Sequence, residues 1–79
     1  MSEELRLALV QLDSAKEAWQ EYSESFAPMN PERKSLVQDE IDTRLEAVKA
    51  LVQIASGQQP HKHGLDMLKR AEWLDREVA

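Results

Sequence analysis

The chain has 79 residues, 42% hydrophobic but only 5% aromatic, which fits one domain whose core is built from Leu, Val, Ile and Ala rather than from rings. It has no Cys, which removes disulfides, thiolate zinc sites and cysteine nucleophiles together, and its 15 acids against 10 bases give a formal net charge of −5. Most of the excess lies in residues 1–29, with six acids and two bases, and direct nucleic-acid binding is not expected of so acidic a surface, because phosphate backbones repel it.

The opening MSEELRLALV has neither the positive start nor the apolar run of about seven or more residues that a secretory leader needs. No run approaches the ~20 apolar residues of a membrane span, so the expectation is a soluble, cytoplasmic chain with no membrane partner. Ser2 followed by Glu3 and Glu4 is a helix start, since the hydroxyl can accept from a free amide and acids suit the positive end of the helix dipole. The first helix is predicted over about 3–26. Leu5, Ala8, Leu12, Ala15, Trp19, Tyr22 and Phe26 recur in steps of three and four, a heptad seam expected to face the second helix.

Pro28 disfavours helix at Ala27, Asn30 is a good cap, and Pro31 at the first helical position loses no needed hydrogen bond, so residues 27–30 are predicted to connect an antiparallel pair. The second helix is predicted over about 31–56, closed by Gly57 in a left-handed cap and by Pro60. Val37, Ile41, Leu45, Val48, Val52 and Ala55 form its main apolar face, and Leu36, Ala47, Ala50, Leu51 and Ile54 a weaker second one. Two apolar faces imply two neighbours. Asp39, Asp42, Glu46 and Gln53 occupy the remainder, and Glu40 is spaced to pair with Arg44. After GQQPHKHG, a third helix over about 63–78 carries Met67, Ala71, Leu74 and Val78 on one stripe beside Leu68, with Asp66–Arg70 and Glu72–Arg76 as expected ion pairs. The fold class that follows is all-α: one domain made of a hairpin of two long helices plus a shorter third, a three-helix bundle able to dimerise.

Candidate chemistry is sparse. His61 and His63 could hold a metal only with further ligands such as Asp66, since zinc sites want three or four, and an exposed polar loop is the simpler account. Only Gly57 and Gly64 are available, too few for a phosphate-binding loop, and nothing ties Ser, His and acid residues into a nucleophilic arrangement. Neither a cofactor, a metal nor an enzymatic activity is expected. Asp13, Glu17, Glu21 and Glu24 share the outer side of the first helix without basic residues one turn on: a solvated face, or a row of carboxylates standing in for phosphates. Trp73 lies roughly 120° from the third helix's apolar stripe at 100° per residue. It either packs under Lys69 or over an edge of the first helix, or serves with Arg70 and Arg76 as an interface anchor. Leu7, Val10, Leu36 and Ile54 are the apolar residues expected to close a homodimer. The expected function is that of a small non-enzymatic protein that binds a protein partner as an adaptor, chaperone or inhibitor. The alternative is an acidic nucleic-acid mimic that blocks a nucleic-acid-binding protein, as a phage-encoded antagonist does.

Overall fold

A computed structural model describes residues 2–24 and 30–78, with the side chains of 77 and 78 excepted. Three helices follow in chain order: α1 (Glu3–Ser23), α2 (Pro31–Ala55) and α3 (Lys62–Val78). They form an all-α three-helix bundle in which α1 packs on α2 and α2 on α3. Helix α1 ends at Ser23 with Glu24 as its cap, short of the predicted end near Phe26; Phe26 itself and the connection at 27–29 lie outside the described residues.

The helix ends are set by local chemistry. Ser2 Oγ accepts from the Leu5 amide at 3.2 Å, and Asn30 Oδ1 accepts from the Glu32 amide at 2.8 Å with Pro31 opening the helix. At the far end of α2, Gly57 adopts φ 79°, its amide donates to the Ile54 carbonyl, and the Gln58 amide donates to the Gln53 carbonyl at 2.8 Å. This pair of bonds is a Schellman closure, and the left-handed position is one that a residue with a Cβ adopts only at a cost.

The buried side of α1 differs from the expected seam. Ala8, Gln11, Ala15 and Ala18 are buried, whereas Leu5, Leu12 and Trp19 are exposed. On α2 the buried set is Val37, Thr43, Arg44, Ala47, Ala50 and Leu51, while Leu45 and Val52 are exposed and Ile41 and Val48 half-buried. Small residues let the helix axes approach closely, so the alanine row of α1 turns inward and the large row beside it is left at the margin. The buried apolar residues of α2 thus come mainly from its weaker face, Ala47, Ala50 and Leu51, with Val37 of the main face beside them, while Leu36 is exposed and Ile54 half-buried.

Helix α3 fits the second face of α2 as expected. Ala71 is fully buried and Met67, Leu68 and Leu74 are half-buried. Gly64 lies so near Ala50 that a Cβ added to it would stand 3.4 Å from the Ala50 Cβ. The expected pairs Asp66–Arg70 and Glu72–Arg76 are not among the ion pairs of the described residues. Arg70 reaches across to Asp39 on α2 instead, tying the two helices together.

One buried polar cluster joins all three helices. Arg44 is only 4% exposed, and Nη1 donates to Gln11 Oε1 on α1 at 2.8 Å and to Asp75 Oδ1 on α3 at 2.9 Å. Its Nε and Nη2 donate to Glu40 Oε1, each at 3.1 Å, and Gln11 Nε2 donates to Asp75 Oδ2 at 2.7 Å. The Glu40–Arg44 pair is thus present as expected, but as part of a network around a buried guanidinium whose two carboxylates remain partly exposed. Among the described residues no buried side-chain polar atom is left without a partner, which keeps the burial of this charge tolerable.

Candidate functional site

The rotation of α1 and α2 leaves an apolar groove in two adjoining parts along one face of the hairpin. One half, about 410 Å³, is lined by Leu12, Ala15, Lys16, Trp19, Ile41 and Leu45. The other, about 260 Å³, is lined by Leu5, Ala8, Leu9, Leu12, Val48 and Val52. Leu12 lines both, so the two adjoin along the hairpin, from Leu5 to Trp19 on α1 and from Ile41 to Val52 on α2. Leu12 and Leu45 are each 45% exposed and Trp19 is 56% exposed, and Trp19 stacks on Tyr22 with ring centroids 5.8 Å apart. Among the described residues Lys16 is the one charged residue in the lining.

The residues singled out from the sequence fall elsewhere. Trp73 is 56% exposed and makes no cation–π contact with Lys69 among the described residues, so it is a surface indole. Arg70, spaced to stand beside it, is engaged by Asp39, and Arg76 is exposed. Val10 and Leu36 are exposed and Leu7 and Ile54 half-buried, but none of the four lines the groove. In the acidic row Asp13, Glu17 and Glu24 are exposed, while Glu21 is paired with Arg33 of α2, which interrupts the run. Leu5, Leu12, Trp19, Ile41, Leu45, Val48 and Val52 are legible as apolar, but their spacing predicts them within the helix seam, and Leu9 stands outside the predicted stripes. No signal in the chain separates an inward stripe from an adjacent outward one when both are apolar.

His61 and His63 line a cavity of about 260 Å³ with Glu46, Lys49, Ala50, Gln53 and Gly64. Among the described residues no group of three or more His, Cys, Asp or Glu side chains is placed to hold a metal. The lysine in the cavity's wall further disfavours a cation there.

At the ends of the hairpin, exposed ion pairs shift ordinary titrations. The Arg6 guanidinium hydrogen-bonded to Glu3 holds that carboxyl below its usual range, and Arg6 in turn is raised. Arg33 is raised by its bond to Glu21. Among the described residues no helix is long and apolar enough to cross a membrane. Compared with protein-family models, curated proteins and solved structures, the chain matches none of them.

Proposed function

We propose that this chain is a small non-enzymatic binding protein that engages another protein through the apolar groove between α1 and α2. The observation that carries the reading is the trough from Leu5 to Trp19 and from Ile41 to Val52, which leaves large aliphatic and aromatic side chains facing water. A lone exposed leucine needs no explanation, but a contiguous apolar surface of this kind marks an interaction site. Its length and shape suit an amphipathic helix laid into a groove, with apolar anchors spaced by three and four residues. Among the described residues Lys16 is the only titratable side chain in the lining, and they place no acid-base pair and no nucleophile with a base there, which favours binding over catalysis. Adaptors, chaperones and inhibitors all work in this way.

Trp73 provides a second, smaller surface, and the acidic row offers the alternative of phosphate mimicry, weakened by the pairing of Glu21 with Arg33. Capture of partners from cell extract by the wild type, by Leu45→Glu and by Trp73→Ala compares the surfaces directly. Leu45→Glu is expected to reduce recovery of the specific partner about ten-fold or more, because a charge is set in the desolvated centre of the contact. Equal recovery by Leu45→Glu, together with steep loss as salt is raised, would transfer the function to the carboxylates.

A further inference from the structure

The groove lies on a face of the hairpin with a size and charge pattern that can be set against those of an interface. At about 1.5 Å per residue, the 21 residues of α1 make this face roughly 30 Å long, and two packed helices make it roughly 20 Å wide. Two such faces set together enclose about 1,200 Å² in total, the lower edge of the range for stable, specific interfaces. An apolar middle between polar rims is also how such interfaces are built.

Exposed charges at matching heights along the two helices decide which partner fits. Trp19 shares the groove wall with Ile41, and Leu5 with Val52, so residues of α1 and α2 at one height have numbers adding to about 58 in this antiparallel pair. Lys16 therefore stands level with Asp42, and Glu24 with Lys34. All four are exposed, and among the described residues none has an ion-pair partner within the chain. A two-fold axis parallel to the helices keeps every residue at its height and lays α1 of one copy on α2 of the other. Lys16 then meets Asp42 of the second copy, and Glu24 meets its Lys34, each pair occurring twice by symmetry. The same operation sets Trp19 over Ile41 of the second copy and Leu5 over its Val52.

We infer that the occupant of the groove is a second copy of this chain, giving a two-fold homodimer with a four-helix core of two hairpins. The inference rests on the groove being a protein-binding surface, and it names the protein. Sedimentation equilibrium from micromolar to millimolar concentration is expected to show the mass rising toward twice the 9.1 kDa of one chain. In a Trp73→Phe background, where Trp19 alone emits, fluorescence should move to shorter wavelength over the same range. Leu45→Glu should stay helical but sediment as a single chain. Lys16→Glu and Asp42→Lys should each weaken association roughly five-fold or more, and the two together should restore most of it.

A single-chain mass at every concentration overturns the dimer, as does a dimer that Leu45→Glu leaves intact. The two readings fail separately. A chain that remains single but loses a foreign partner on Leu45→Glu retains the groove as its binding surface, whereas unchanged mass and unchanged capture in that variant remove both.

Discussion

Replacing Arg44 with Met removes the buried guanidinium while keeping an unbranched apolar side chain over the part its methylenes occupy. The variant forfeits the bonds to Gln11 at 2.8 Å, to Asp75 at 2.9 Å and to Glu40 at 3.1 Å. Deleting one partner of a buried ion pair costs about 3–5 kcal/mol, because the remaining charge is stranded. Here the side chains of Glu40 and Asp75 are 37% and 42% exposed, so water recovers part of that loss, and Gln11 still donates to Asp75. The expected destabilisation is therefore about 2 kcal/mol. A domain of 79 residues has about 4–12 kcal/mol of stability in all, so this is a large share of it. The corresponding fall in Tm is roughly 8–16 °C at this chain length. Thermal unfolding followed by far-UV circular dichroism measures it, best in a Leu45→Glu background so that self-association adds nothing by mass action. An unchanged or higher Tm in Arg44→Met would refute the reasoning, since desolvation of the guanidinium would then outweigh its bonds. Replacing the three side chains that span the helices, as Arg44→Met with Gln11→Leu and Asp75→Leu, is expected to recover most of the loss, because the one carboxylate left unpaired, Glu40, is 37% exposed and reaches water.

Gly57→Ala is expected to cost about 1 kcal/mol, visible as a Tm lower by several degrees, because φ at that cap is 79° and a Cβ disfavours it whatever the open space around it. Gly64→Ala should do the reverse and raise stability by about 0.5 kcal/mol, since it lies within α3 and its new Cβ would rest 3.4 Å from that of Ala50, at the near edge of ordinary contact; a loss of stability would show that α2 and α3 cannot yield there. The Glu3–Arg6 pair predicts a local pH effect. Because the folded state holds Glu3 below its ordinary value of 4.5, the contribution is complete above that value and is lost as pH falls through the lower folded one. Amide exchange in the first turn of α1 should therefore quicken at acid pH in the wild type, beyond its ordinary chemical dependence, and this added change should vanish in Glu3→Gln.

The sequence by itself determined where the helices begin and end over most of the chain. Ser2, Asn30, Pro31 and Gly57 act through hydrogen bonds and dihedral limits confined to a few neighbouring residues, and each occupies the role that its chemistry dictates. The Met67, Ala71 and Leu74 stripe of α3 was legible for a related reason, since it is the single apolar side of that helix. The pairings within α3 were not, because an arginine on a helix surface can turn to a neighbouring helix as easily as to its own next turn, and Arg70 chose Asp39.

Only the tertiary structure decided which stripe of α1 and α2 faces inward. Periodicity defines the stripes, but Leu5, Leu12 and Trp19 lie directly beside Ala8, Ala15 and Ala18, and both rows satisfy the same spacing. The alanine row permits the close approach at which Gln11 of α1 and Asp75 of α3 can both reach Arg44, a three-body arrangement that no local rule encodes. Satisfying one buried charge and packing small residues together fixes the rotation of both helices. The large apolar residues that this rotation displaces form the groove on which the proposed binding depends.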